Sequence, residues 1–420
     1  MTYDLCLFTS TPKGPAMTSD TPSRDNPAPH EPQSYEWDPR APEVLDNQIA
    51  AYDALRARCP VAHSEQMGWS LLRHDDVLRA ATQTRTFSAV VSKHVAVPNG
   101  MDPPEHTVYR TIVDRYFTQE VVDAFEPACR AIAADLIAAL PRDKPADIVN
   151  DLAEPFALQV QSAYLGWPER LREPLREWTL SNRRATASGD RAATAAVAEQ
   201  FDGYITGLLD ERRAMGDAAP DDLTTRLMKE QVDGRVLDDG ELVSILRNWT
   251  VGELSTISAA AGIVVDHLAE HPDVQSLMRA KAGSPATLDD AVDEILRIHP
   301  PLISNRRVVA EPTQIGGRQF EPGERLTILW ASANRDEDVF GDPNEFRLDR
   351  PREDNLLYGA GIHACPGAPL ARLELRMLTQ ELLAATGTIT PDRGATSQYA
   401  SYPASGFAEL SVILGSVTEG

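Results

Sequence analysis

The chain has 420 residues, 42% hydrophobic and 25% charged, with a formal net charge of −23. The apolar fraction supplies ample material for a globular core, and the acid excess disfavours nucleic acid or an anionic membrane surface as a partner. Four cysteines, Cys6, Cys59, Cys129 and Cys365, form no CxxC pair; no zinc site or disulfide scaffold is read from them, and a reducing cytoplasm suits them.

In chain order, the apolar patch Leu5-Cys6-Leu7-Phe8 is too brief for a signal core or a membrane span. Residues 9–34 are rich in Pro, Ser, Thr and charge and cannot bury enough surface to offset their ordering entropy. Residues 1–34 are therefore expected to be a disordered tail, with Met17 an alternative start to Met1. From Tyr35 to the C-terminus no second linker, repeat or low-complexity block occurs, so 35–420 reads as one domain. Helical spacing of apolar residues predicts helices over Asp46–Arg58, Asp75–Thr82, Val121–Leu140, Gln200–Met215, Ala291–Ile298 and Leu370–Ala385. Strands are few and short: Trp69–Leu72, Thr313–Ile315, Arg325–Leu329 and Leu410–Leu414, punctuated by Gly316-Gly317 and Pro322-Gly323. The class is mainly α with minor β.

The most informative helix is the longest. Asp238 or Asp239 caps its start, apolar character runs from Leu242 to Leu268, and His271-Pro272 stops it. About 30 residues make a rod of roughly 45 Å. Ile257 to Val265 is apolar on every side, which predicts a helix buried on all faces. Arg247, Asn248 and Glu253 interrupt the apolar run, so it is an internal helix and not a membrane span.

The string Tyr358-Gly359-Ala360-Gly361-Ile362-His363-Ala364-Cys365-Pro366-Gly367 lies between a polar loop and a helix. Its glycines permit tight turns, and backbone N–H groups at a helix start can hold a sulfur as thiolate. A buried structural cysteine is the bland alternative. The whole string resembles the cysteine loop of the cytochrome P-450 monooxygenases, departing from it at Tyr358, where Phe is usual. The resemblance implies that Cys365 is the iron ligand of haem b (iron protoporphyrin IX). Such a thiolate pushes electron density through the iron and favours O–O cleavage.

Glu294-Ile295-Leu296-Arg297 places a carboxylate and a guanidinium on one helix face. Alone it reads equally as a surface ion pair. About 70 residues before Cys365 and followed by His299-Pro300-Pro301, it resembles the family's structural helix pair, which a downstream arginine completes. Arg347 and Arg350 are the candidates.

The resemblance also implies partners for the two haem propionates. In Asp102-Pro103-Pro104-Glu105-His106-Thr107-Val108-Tyr109-Arg110, His106 and Arg110 stand one helical turn apart. Arg307 matches the family's strand arginine, and His363 is the usual fourth contact.

The distal run departs from the pattern. The family's central helix carries an acid directly before an alcohol; here Val251-Gly252-Glu253-Leu254-Ser255-Thr256 puts either Ser255 or Leu254 in the acid slot. Glu253 lies one turn before Thr256 and can supply a proton through water or bind a polar substrate group. It can equally point at Arg247 or Asn248 and only stabilise the helix. Gly252, lacking a side chain, opens room for a ligand or bends the helix. By resemblance, Ser88–Pro98, Trp249–Thr256, Leu302–Asn305 and Tyr399–Ser405 face substrate. Val90, Val91, Val95, Val97 and Leu302 suggest an apolar cavity.

Taken together, the resemblance runs from about Tyr35 to the C-terminus. It implies the P-450 fold, a triangular helical domain with a long central helix over haem and small sheets. It also implies a cytoplasmic monooxygenase that hydroxylates or dealkylates a small organic molecule. No flavin or iron–sulfur module is evident, so a separate ferredoxin and ferredoxin reductase are expected as electron donors, with Arg372 and Arg376 as a local basic dock. Two other readings stand beside it: a haem-thiolate enzyme using peroxide or inserting no oxygen, and a non-catalytic haem sensor.

Overall fold

The computed structural model describes residues 35–92 and 96–417; the expected tail, the alternative start Met17, and Val95 lie outside them. Helices dominate. The longest spans Asp239–Glu270, 32 residues, about 48 Å of helix. Its start is a reciprocal capping box: the Asp238 carboxylate accepts from the Glu241 N–H at 2.9 Å, and the Glu241 carboxylate accepts from the Asp238 N–H at 2.8 Å. It ends at His271, where Pro272 opens the helix Pro272–Ala280. Ile257, Ser258 and residues 260–265 are buried, as the all-round apolar run predicts. The helices Glu154–Leu165, Pro285–Ile298 and Ala368–Ala385 pack around this central helix.

The helix Ala368–Ala385 buries Leu370, Leu373, Leu375, Leu378 and Leu382 and lies along Gln119–Ala139. Local chemistry moves several predicted boundaries. Asn47 divides the first helix into Pro42–Asp46 and Gln48–Arg58, its side chain accepting from the Ala50 N–H at 3.1 Å. Asp190 caps a helix running Arg191–Met215, nine residues earlier than Gln200. Pro at the first turn starts Pro285–Ile298.

The largest sheet has strand order Tyr35–Glu36, Val61–Ser64, Gly68–Leu71, Arg325–Leu329, Ser304–Val309, Phe87–Ser88. Arg325–Leu329 pairs in parallel with Gly68–Leu71 and antiparallel with Ser304–Val309, Leu326 standing opposite Arg307. Beside it, Thr313–Ile315 and Arg318–Phe320 form a hairpin whose two turn residues, Gly316 and Gly317, have φ of 57° and 83°, the sign a tight two-residue turn requires. A three-stranded sheet joins Ile389–Pro391, Ser411–Leu414 and Pro145–Asp147. Among the described residues no helix is long and apolar enough to cross a membrane.

Candidate active site

Cys365 sits between the short turn Gly361–His363 and the helix Ala368–Ala385. Its N–H donates to the Tyr358 carbonyl at 2.8 Å, which closes the loop. Gly361 has φ 69°, and a Cβ there would stand 3.0 Å from the Ala81 carbonyl oxygen and 3.2 Å from Thr82 Cα; sign and space both select glycine. Burial pushes the Cys365 thiol up, while the Gly367 N–H, the Arg110 guanidinium and the Ala368 N–H favour the thiolate. The residue is nonetheless exposed on one side. A sulfur backed by helix N–H groups and open in front is suited to holding a metal.

The departure at Tyr358 has a local cause. Its hydroxyl donates to Asp293 Oδ1 at 3.1 Å, and the Arg372 guanidinium lies 4.5 Å from its ring centroid while donating to Asp293 Oδ2 at 2.9 Å. A phenyl ring would leave out one bond of this brace. Arg376 donates to both Asp289 carboxylate oxygens, at 2.8 and 2.7 Å. Arg372 and Arg376, expected to offer a basic dock, are thus engaged as cross-braces to the helix Pro285–Ile298.

That helix carries the Glu294–Arg297 pair, and both residues are buried, Arg297 completely. Arg297 donates to Glu294 at 2.7 and 2.9 Å, to the Asn334 carbonyl at 2.9 Å and to the Pro343 carbonyl at 3.1 Å. The downstream arginine is Arg350, whose Nε donates to Glu294 at 3.0 Å. Arg347 reaches Glu294 only with its backbone N–H, and its side chain turns out to Asp349.

On the other side of the cysteine loop, the residues expected at the propionates come together. The His106 and His363 rings are 4.4 Å apart, edge to face, and Nε2 of each is buried with no hydrogen-bond partner. Arg110 donates to the Ile362 carbonyl at 2.9 Å. Arg307 is buried, donates to the Arg306 carbonyl at 2.8 Å, and makes no ion pair among the described residues. Burial, Arg307 and His106 together drive the His363 pKa down to about 4; His106 is lowered by burial and Arg110. His106, His363 and Arg307, buried or half-buried and opposing one another's charge, lack an anion, whereas Arg110 already pairs with Asp114; two propionates fit the need of the first three. Asp102, which the sequence reading did not single out, orders the segment: it accepts from the Ser88 hydroxyl at 2.5 Å and the Ala89 N–H at 2.9 Å.

The central helix supplies the facing wall. Val251 and Gly252 are exposed in the middle of a largely buried rod, and a Cβ at Gly252 would meet nothing within 4 Å. The helix therefore faces open space here. Thr250 returns its hydroxyl to the Leu246 carbonyl at 2.7 Å, whereas the side chains of Ser255 and Thr256 make no hydrogen bond among the described residues. Glu253 meets neither Arg247 nor Asn248: Arg247 pairs with Asp202, and Asn248 donates to the Val97 carbonyl at 2.9 Å. Glu253 turns instead towards Glu374 on the cysteine-loop helix, a residue the sequence reading passed over. Its signal was a single carboxylate between the buried Leu373 and Leu375. Trp249, expected to face substrate, packs with Tyr116 and Phe117, ring centroids 5.5 and 5.2 Å away. Exposed Val90 and Leu302 remain suited to an apolar wall.

The chain is similar to known proteins over most of its length. A family model described as Cytochrome P450 matches residues 286–386, which include Glu294, Arg350 and Cys365. The cyclomarin C epoxidase CymV of Salinispora arenicola is 34% identical over 322 residues, covering 73% of this chain and 80% of that one. The erythromycin C-12 hydroxylase of Saccharopolyspora erythraea is 33% identical, covering 81% and 87%. The solved structure of cytochrome P450 CYP109Q5 from Chondromyces apiculatus shares the fold with a TM-score of 0.80 at 27% identity, covering 91% of this chain and 99% of that one. Identity at this level over most of a named epoxidase and a named hydroxylase, on a shared fold, decides the family: the chain belongs to the cytochrome P450s and is a haem-thiolate monooxygenase.

Proposed function

We propose that the protein binds haem b through Cys365 and works in the cytoplasm. A separate ferredoxin and ferredoxin reductase would supply two electrons for the hydroxylation or dealkylation of a small, largely apolar organic molecule. Bound haem supplies the activation of O₂. The observation that carries this reading is the donor cluster His106, Arg110, Arg307 and His363 beside the open face of Cys365. Arg307 and Arg110 would neutralise the propionates, and the two imidazole Nε2 atoms would gain partners. Gly252 keeps the facing wall clear, Val90, Val251 and Leu302 present apolar surface, and the hydroxyls of Thr256 and Ser255 would pass protons. An erythromycin hydroxylase and a cyclomarin C epoxidase among the relatives support an organic substrate.

The test is spectroscopic. Reduced protein with carbon monoxide should show the long-wavelength Soret band of a thiolate ligand, and Cys365→Ala should abolish it. Titrating the ferric protein with terpenes, aromatics, fatty acids and macrolides should give a high-spin shift for the substrate class. A thiolate band that survives Cys365→Ala would overturn the assignment. Direct use of peroxide is favoured by the missing carboxylate next to Thr256; product formed from peroxide without any reductase would select it over the ferredoxin route.

A further inference from the structure

One face of the central helix changes character along its length. Glu241, Ser244, Asn248 and Gly252 follow one another at three- and four-residue spacing, so they stand in a row on that face. At Gly252 and its neighbour Val251 the helix is exposed, whereas a polar seam covers the first three positions. The Tyr109 hydroxyl donates to Glu241, which also accepts from two Arg235 nitrogens at 2.7 Å. The Ser244 hydroxyl oxygen accepts from the Val97 N–H at 2.8 Å, and Asn248 Nδ2 donates to the Val97 carbonyl at 2.9 Å. Two side chains one turn apart thus satisfy both backbone groups of one buried residue, as a neighbouring strand would.

Val97 is fully buried and belongs to a turn closed by two hydrogen bonds, Gly100 N–H to the Ala96 carbonyl at 2.7 Å and Met101 N–H to the Pro98 carbonyl at 3.0 Å. The turn is tight: a Cβ on Gly100 would stand 3.1 Å from Ala96 Cβ. Its base is fixed as well, because Asp102 holds Ser88 and Ala89. Residues 96–101 therefore form a compact plug, which Ser244 and Asn248 seat on the central helix one turn before the open stretch.

We infer that Ser244 and Asn248 are positioning residues for specificity: they latch this plug, and the latch sets how far a ligand extends along the helix face beyond Gly252. The inference rests on the haem reading of the site and assigns its size limit to two side chains that act through Val97. Without the Ser244 hydroxyl the buried Val97 N–H loses this partner, and Asp in place of Asn248 sets a carboxylate against a carbonyl. Either change favours a plug lifted off the helix. Neither enlarges the cavity directly, since Asp has the shape of Asn and Ser244→Ala removes one buried oxygen.

N-Alkylimidazoles with tails from methyl to dodecyl test this on the ferric, haem-loaded protein, because the imidazole nitrogen binds haem iron and shifts the Soret band whatever the natural substrate is. In wild type, affinity should rise about three- to fourfold per added methylene and then fall once the tail meets the plug. In Asn248→Asp and in Ser244→Ala the limit should move to longer tails. The first tail that wild type rejects should bind roughly tenfold tighter, as expected for one to two more buried methylenes, while methylimidazole binds as in wild type. Hydrogen exchange of residues 96–101 should be roughly tenfold faster in both variants, as expected for one lost hydrogen bond. Tyr109→Phe loosens the seam without touching Val97 and should keep the wild-type limit. An unmoved limit in both variants, unchanged exchange of residues 96–101, or an equal shift in Tyr109→Phe overturns the latch. If Asn248→Asp does not load haem, Ser244→Ala decides alone. Failure of methylimidazole to shift the wild-type Soret band would instead sink the haem reading, and the exchange data would still decide whether Ser244 and Asn248 hold Val97.

Discussion

Replacing Glu294 with Gln should be among the most damaging conservative changes in the chain. Glu294 accepts from two Arg297 nitrogens, from Arg350 Nε and from the Arg347 N–H, and Arg297 is fully buried beside Phe340, 4.8 Å from its ring centroid. Gln removes the charge and turns an NH₂ towards donors, leaving a buried guanidinium unpaired. Breaking one side of a buried pair costs about 3–5 kcal/mol, a large part of the roughly 5–15 kcal/mol that holds a domain folded. At about 1.4 kcal/mol per factor of ten, the unfolded fraction should rise by two to three and a half decades. Thermal and urea unfolding followed by the Soret band would report it, with Arg350→Ala intermediate because Arg297 still holds Glu294. Arg347→Ala is the internal control: its side chain pairs only with exposed acids and should cost no more than about 1 kcal/mol. If Glu294→Gln is as stable as Arg347→Ala, the buried Glu294–Arg297–Arg350 network does not carry the stability argued for it.

Three further outcomes are expected. His363→Ala should weaken haem retention by about ten- to a hundredfold, the worth of one hydrogen bond to a charged group, read as the rate of haem transfer to an acceptor apoprotein; an unchanged rate would remove His363 from the propionate site. Tyr358→Phe should keep the thiolate Soret band and cost only about 1 kcal/mol, since Asp293 retains Arg372. Stability should also fall as pH rises from about 4.5 to 7: Glu253 and Glu374 are raised in the fold, so over that window the folded state binds more protons than the unfolded chain, and the advantage present at low pH is lost on passing the folded value. Unfolding curves at several pH values should show this slope in wild type and a flatter one in the Glu253→Gln, Glu374→Gln double variant.

Much of the arrangement is legible in the chain. Asp238 and Glu241 announce the central helix by their spacing, and Gly316-Gly317 announces a tight hairpin, because capping and left-handed turns are local chemistry. The helix Glu154–Leu165 was missed for the opposite reason: most of its residues are buried, so no polar face marks a period. The strand Ser304–Val309, with Asn305, Arg306 and Arg307 at its start, hides for a similar reason, since only its pairing with Arg325–Leu329 makes it a strand.

The sequence by itself determined the helical class, the span of the central helix and the glycine-punctuated cysteine loop, all of which follow from residues close in the chain, whereas the donors expected around that loop were implied by the resemblance to the family. Only the tertiary structure decided between Arg350 and Arg347, engaged Arg372 and Arg376 with Asp293 and Asp289, and turned Glu253 towards Glu374. These contacts join residues 50 to over 100 positions apart. Hydrogen bonding and desolvation act through space, so no local pattern of residue types can specify which buried charge meets which.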